Sequence, residues 1–89
     1  MNLYYLRYFV KLAYVQHYTR AAEQLCITQP SLSHAIAQLE KELGVPLFEK
    51  TGRKTTLTRF GEEFLPCAEH TLASLDAGVS SLQKAARGA

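Results

Sequence analysis

The sequence predicts a mainly α-helical protein with three short helices, a two-stranded hairpin and one long final helix. Apolar residues recur at spacings of three and four through most of the chain, as they do on the buried face of a helix. A β-branched segment with a basic centre, residues 45–58, interrupts this pattern. The chain has 89 residues, of which 47% are hydrophobic and 20% charged, so its composition is that of one small globular unit.

The first two helices are predicted from an apolar stripe and a pair of small residues. The stripe places helix one at residues 2–16, and the tyrosines around it are expected to extend the core. Helix two is expected to begin at Thr19, a good N-cap residue, and to end at Cys26. Ala21 and Ala22 lie in its middle, where small side chains allow a second helix to cross closely.

The third helix has clear signals at both ends. Thr28 is the expected N-cap, Pro30 lies in the first turn, where its missing N–H has no cost, and Gly44 is the expected stop. Four apolar residues fall on one side of this helix: Leu32, Ile36, Leu39 and Leu43. The opposite face begins with Gln, Pro, Ser and His rather than the Glu and Lys of an ordinary solvated helix, which indicates contact with a partner.

Helices two and three together have the spacing of a helix-turn-helix, in which the second helix enters the major groove of DNA. Gln29 can donate and accept in one plane, which suits adenine, and Pro30 offers an apolar edge to a thymine methyl group. Thr28 and Ser31 are the candidate phosphate contacts at the helix N-terminus. The spacing alone leaves a small helical bundle without DNA readout equally open.

A basic hairpin follows the third helix and favours the DNA-binding interpretation. Its strands are predicted at Val45–Glu49 and Thr55–Thr58, joined by the tip Lys50–Lys54. Arg53 and Lys54 would suit an adjacent minor groove or the phosphate backbone. The predicted fold is therefore a winged helix-turn-helix, three helices plus a two-stranded wing, although a solvated charged turn is the alternative for the hairpin.

The last helix is expected to begin after Thr58 and to continue to about Ala86. Its stripe steps by three and four through Leu72, Leu75, Val79, Leu82 and Ala86. About 28 helical residues span roughly 42 Å, which a domain this small cannot cover, so we predict a linker helix that pairs two copies. A frayed tail is the alternative. Pro66 predicts a bend near residues 62–66.

Charge and cysteine usage narrow the functional classes. Residues 1–59 have eight basic and four acidic side chains, whereas residues 60–89 have two basic and four acidic ones, so positive charge collects where phosphates would be met. Cys26 and Cys67 fall in apolar patterns and are predicted to be reduced and buried, with a disulfide or redox switch as the alternative. No export signal or membrane span is recognisable, which predicts a cytoplasmic protein.

Other classes of protein fit the sequence less well. Nucleophile–base pairs, phosphate loops and metal-ligand spacings are not recognisable, so neither an enzyme nor a cofactor is predicted. A helical interaction module without DNA readout would explain the first and last helices. It would leave the basic hairpin and the charge-poor face of the third helix unexplained.

Short strings in the order and spacing seen here resemble the N-terminal DNA-binding domain of bacterial LysR-type transcriptional regulators. They run over essentially the whole chain: Leu6-Arg7-Tyr8-Phe9, Thr19-Arg20-Ala21-Ala22, Gln29-Pro30-Ser31-Leu32-Ser33, Leu39-Glu40, Leu43-Gly44, Leu47-Phe48, Leu57-Thr58 and Gly61. The resemblance implies a DNA-binding domain at residues 1–58 and a dimerising linker helix at residues 59–89. It also implies a homodimer on an interrupted, A·T-rich dyad near a promoter.

The resemblance extends to site residues and partners. It implies major-groove contacts from four residues, Gln29, Pro30, Ser33 and His34, and a minor-groove contact from Arg53. We add Thr28, Ser31, Lys50 and Lys54 as expected phosphate contacts. The expected partners are double-stranded DNA and a second copy, with a tetramer in the full-length protein. A small-molecule effector would act only through a C-terminal domain that is absent from this chain.

Three residues depart from the family pattern. His34 stands where Arg or Lys is common, so a long permanent cation is replaced by a shorter group. Lys50 stands where Arg is frequent, which keeps the charge but loses the bidentate fork. Pro66 has no counterpart in the pattern.

Overall fold

The computed structural model describes residues 1–88 and confirms the predicted winged helix-turn-helix followed by a long helix. The elements, in chain order, are α1 (Leu3–Val15), α2 (Tyr18–Leu25), α3 (Gln29–Leu43), β1 (Phe48–Thr51), β2 (Lys54–Leu57) and α4 (Arg59–Gly88). The two strands form an antiparallel sheet in which Phe48 pairs with Leu57 and Thr51 with Lys54. Ala89 lies outside the described residues.

Helix ends follow from local capping, and one predicted cap is wrong. α3 begins at the predicted N-cap, since the Thr28 hydroxyl accepts from the Ser31 N–H, and ends at Gly44 with a left-handed φ of 73°. α2, however, begins at Tyr18, because Nδ1 of His17 accepts from the Arg20 N–H at 3.2 Å. Histidine is not among the favoured N-cap residues, so the sequence pointed to Thr19 instead.

One hydrophobic core joins the three short helices, the wing and the first half of α4. Its buried members are Leu6, Phe9, Leu12, Ala21, Ala22, Leu32, Ile36, Leu39, Leu47, Ala68 and Leu72. The burial of Ala21 and Ala22 confirms the predicted close crossing of helices. The tyrosines of α1 differ in burial: Tyr5 and Tyr8 are partly buried against the core, whereas Tyr4 is exposed.

The first strand starts three residues later than predicted. Pro46 has no N–H to offer a partner strand. The next two backbone N–H groups, of Leu47 and Phe48, donate to Oε2 of Glu40 in α3 at 2.7 and 3.4 Å. The segment from Val45 to Leu47 is therefore held against α3, and the sheet begins only at Phe48.

α4 is a single helix from Arg59 to Gly88 that continues through Pro66. The helix begins after Thr58, as predicted, and Thr58 caps it: its Oγ1 accepts from the Gly61 N–H and donates to the Pro46 carbonyl at 2.6 Å. The bend at Pro66 stays a prediction. Leu72 is only 7% exposed and packs in the chain's own core, so the expected pairing stripe loses this member.

Both cysteines are free, but the prediction that they are buried is wrong. Cys26 occupies the left-handed position that ends α2, with φ of 59°, and is exposed there. Cys67 is exposed on α4. In the part of the chain that is described, no helix is long and apolar enough to cross a bilayer.

Candidate nucleic-acid interface

The outer face of α3 exposes polar and apolar side chains to solvent, and those at its N-terminal end are uncharged. Leu32 and Ile36 are fully buried and anchor the opposite face of the helix to the core. Gln29, Pro30 and His34 are exposed as a result, and Ser33 is half-buried. All four predicted base-reading residues of α3 are thus accessible from one side of the helix.

Two hydroxyl groups at the N-terminus of α3, those of Thr28 and Ser31, are joined by a hydrogen bond of defined direction. The Thr28 hydroxyl donates to Oγ of Ser31 at 2.8 Å and accepts from the Ser31 N–H at 3.2 Å. The proton of Thr28 is therefore committed within the cap, whereas the hydroxyl proton of Ser31 is left to donate outward. Of the two predicted phosphate contacts at this end, Ser31 is the better donor.

One hollow, of about 440 Å³, separates α3 from the wing and the start of α2. It is lined by His17, Tyr18, Thr19, Gln29, Ser33, Lys50, Arg53 and Thr55. The structure thereby brings two predicted base-reading residues of α3 together with two of the predicted wing cations. Within the hollow, Nε2 of Gln29 donates to Oγ of Ser33 at 2.9 Å.

The opposite flank of α3 faces two tyrosines of α1. His34 packs against Tyr5 with ring centroids 6.4 Å apart and the planes at 89°, an edge-to-face arrangement. A second hollow here is lined by Tyr5, Tyr8, Ile27, Pro30, Ser31 and His34. His34 is therefore separated from Gln29 and the wing. The outer face of α3 is bordered by tyrosines on one side and by the basic wing on the other.

The wing is fixed to the body of the protein while its cations stay exposed. The Thr55 N–H in β2 donates to the Gln16 carbonyl at the end of α1, and the hydroxyls of Thr51 and Thr56 are hydrogen-bonded across the two strands at 2.8 Å. Only Gly52 and Arg53 form the turn, so the predicted five-residue tip is narrower than expected, with Lys50 and Lys54 in the strands.

Those wing cations have no acidic partner in the described structure. Lys50, Arg53 and Lys54 are all exposed. The ion pairs found among residues 1–88 instead join the N-terminal amine to Glu42 and Arg7 to Asp76. Positive charge on the wing is therefore available to an external anion such as a DNA phosphate.

The start of α2 contributes residues that the sequence reasoning missed. Because Nδ1 of His17 accepts the Arg20 N–H, the imidazole proton lies on Nε2, which makes that nitrogen the outward donor. Tyr18 is half-buried beside the wing, where burial, together with the carboxylate of Glu40, raises its pKa. A histidine at the N-cap position was the available signal, although histidine is seldom used there.

Comparison with known proteins agrees with this geometry. Residues 3–62 match the family model of the bacterial regulatory helix-turn-helix proteins of the lysR family. The HTH-type transcriptional regulator BudR of Klebsiella aerogenes is 48% identical over 99% of this chain and 62% of its own length. BudR of Raoultella terrigena is 46% identical over 99% of this chain, which spans only 30% of that relative.

Solved structures give the same result. A crystal structure of the BenM DNA-binding domain with catB site 1 DNA has a TM-score of 0.93 and 42% identity over 99% of this chain and 95% of its own. The CbnR DNA-binding domain in complex with DNA has a TM-score of 0.89 and 31% identity, over 97% and 99% of the two chains. The chain therefore belongs to the lysR family of bacterial regulatory helix-turn-helix proteins. It is the DNA-binding domain of a transcriptional regulator rather than an enzyme.

Proposed function

We propose that this chain binds double-stranded DNA with sequence specificity by placing α3 in the major groove and the wing at the adjacent minor groove or backbone. The observation that supports this most strongly is the charge-poor, exposed face of α3 beside a basic wing whose cations are exposed. A major groove about 12 Å wide admits one helix, and base edges are read by neutral donors, acceptors and apolar groups. Phosphates are met by cations on either side.

The proposed roles divide by the kind of atom that each residue offers. Residues proposed to face the major groove are Gln29, Pro30, Ser33 and His34 on α3, and Arg53 is proposed to enter the minor groove. Residues proposed to meet phosphates are Thr28, Ser31, Lys50 and Lys54. The phosphate contacts fix the register of α3 on the duplex, and the base contacts give the sequence preference.

We further propose that two copies pair through α4 and bind an interrupted dyad at a promoter. Leu75, Val79 and Leu82 are 39%, 45% and 72% exposed and recur at spacings of four and three. A helix of 30 residues extends about 45 Å, well beyond the short helices that it packs against. Half-site spacing would follow from the geometry of this pair.

The longer relatives suggest what surrounds this domain. Because the chain spans less than two thirds of BudR from either organism, we propose a further effector-binding region, and tetramers, only for the full-length protein. Such a small-molecule effector would not need to contact α3 or the wing. The identity of the effector, and whether the regulator activates or represses, would be properties of that longer protein.

A direct experiment compares Gln29→Ala with Gln24→Ala on a pool of random-sequence duplexes, sequencing the bound and unbound fractions. Gln29→Ala should remove the preference at one base pair of each half-site while weak nonspecific binding persists. Gln24, exposed on α2 in a hollow formed with α1 and α4, is the matched control and should leave the preference unchanged. Equal profiles for the two variants would refute the role of Gln29.

Arg53→Ala and Lys54→Ala separate base readout from phosphate contact on the wing. Arg53→Ala should weaken binding and flatten preference at the base pairs flanking the major-groove site. Lys54→Ala should weaken binding of all sequences about equally and reduce the salt dependence of the affinity. The same profile for both variants would contradict the separate roles.

A further inference from the structure

A hydrogen bond on the outer face of α3 joins Gln29 and Ser33, which lie one helical turn apart. Nε2 of Gln29 donates to Oγ of Ser33 at 2.9 Å, and positions four residues apart are neighbours on a helix surface. The Gln29 side chain is exposed, whereas Ser33 is half-buried on the side of α3 that lines the hollow toward the wing. The half-buried serine thus holds the end of the longer, exposed side chain.

The hydrogen-bonding capacity of Gln29 matches adenine even with this bond in place. A glutamine amide has two N–H donors and one carbonyl oxygen. In a bidentate pair with adenine, Oε1 accepts from N6 and the N–H on the same side as Oε1 donates to N7. The second N–H points away from the base edge, so Ser33 can accept it without competing with the base.

We propose that Ser33 is a positioning residue: it orients the amide of Gln29 for adenine instead of reading a base pair of its own. This proposal rests on the proposed DNA-binding function. A free glutamine side chain loses considerable rotamer freedom when it is immobilised, and a side chain that is already oriented loses less on binding. Ser33 therefore increases the preference for adenine without touching it.

The alternative is that Ser33 contacts a base directly. In that arrangement its hydroxyl would read a second base pair, and its removal would act independently of Gln29. The hydrogen bond and the partial burial of Ser33 favour the indirect role. Coupling between the two residues distinguishes the two roles, because only a positioning residue acts through its partner.

The test measures base preference for the 89-residue chain and for Ser33→Ala, Gln29→Ala and the double variant. Each protein selects from a pool of random-sequence duplexes, and preference at every position is read by sequencing. Ser80→Ala is the matched control, because Ser80 is exposed on α4. Alanine is the best helix former, so Ser33→Ala should keep α3 intact, which circular dichroism and thermal unfolding check.

Ser33→Ala is expected to lower the base preference about three- to tenfold, in keeping with the loss of one hydrogen bond. The loss should occur only at the base pair where Gln29→Ala removes the preference. In the Gln29→Ala background, Ser33→Ala should change no position. The proposal would be overturned by a loss at a different base pair, by a loss that persists without Gln29, or by an unchanged profile. An unmodified protein without any sequence preference would instead overturn the proposed function itself.

Discussion

Gly61 packs against the backbone carbonyl of Leu47 so closely that no Cβ atom fits between them. A Cβ atom built at Gly61 would collide with the Leu47 carbonyl oxygen and would lie 2.7 Å from Cδ2 of Leu57. This contact is made where the first turn of α4 crosses both ends of the wing, since Leu47 precedes β1 and Leu57 ends β2. The approach of α4 to the wing therefore requires a residue without a side chain.

Gly61→Ala should lower the free energy of unfolding by at least about 2 kcal/mol, because a backbone carbonyl cannot move aside as a side chain can. Gly78→Ala is the matched control in the same helix, with nothing within 4 Å of its Cβ position. Replacing that glycine should raise the stability by about 1 kcal/mol through helix propensity. Urea unfolding of both variants gives the comparison, and equal stabilities would show that α4 does not approach the wing this closely.

Tyr18 should make stability fall at alkaline pH. Burial, with a smaller effect from the Glu40 carboxylate, raises the pKa of Tyr18 above its ordinary value of 10.0. The folded protein therefore holds this proton more tightly than the unfolded chain. The associated stability is fully present below about pH 10, the unfolded value, and is lost as the pH rises through the folded pKa.

Tyr18→Phe should remove this part of the alkaline loss. The measurement is the urea midpoint of both proteins across that pH range, with tyrosinate absorbance followed in the folded state. A steeper fall for the unmodified protein is the expected result. Parallel pH profiles would contradict the assignment to Tyr18.

The sequence predicted those parts of the fold that depend on nearest neighbours along the chain. Thr28 and Gly44 are the usual residues for starting and ending a helix, and both were placed correctly. Contacts across long separations could not be predicted in this way. The strand start depends on Glu40 accepting from the Leu47 N–H, and Leu72, which was predicted to pair two copies, lies in the chain's own core.

The exposure of the candidate site residues was predicted to a similar degree. The exposed positions on α3 follow from helical periodicity, because burial of Leu32 and Ile36 exposes the other side. Periodicity does not show what lies beside that face. The aromatic border from Tyr5 and the donor on His17 are provided by α1 and by the segment before α2, and each depends on how the helices pack.

His34→Arg should increase DNA affinity at low salt and make its salt dependence steeper. An arginine is permanently charged and longer than histidine, so it can reach a phosphate from this edge of α3. Each added phosphate contact changes the slope of log affinity against log salt by about 0.9. Ser80→Arg adds the same charge on α4 as a control. The same slope for both variants would show that position 34 does not reach the backbone.

Charged substitutions in the exposed stripe of α4 should give monomers. Val79 and Leu75 are nearly half exposed in a single chain, and burial of such apolar surface contributes about 25 cal/mol per Å² to association. Leu75→Glu with Val79→Glu would place two carboxylates in that contact, where desolvation is costly. Ser80→Glu is the matched control, because position 80 lies about 140° around the helix from Leu75.

Sedimentation velocity at several protein concentrations distinguishes the outcomes. The unmodified chain and Ser80→Glu should sediment as dimers, and the double variant as a monomer with unchanged helical content. Loss of pairing should also weaken binding to a two-half-site duplex far more than to a single half-site, because the second α3 would no longer be held at a fixed distance from the first. A double variant that remains dimeric would place the pairing surface elsewhere on the chain.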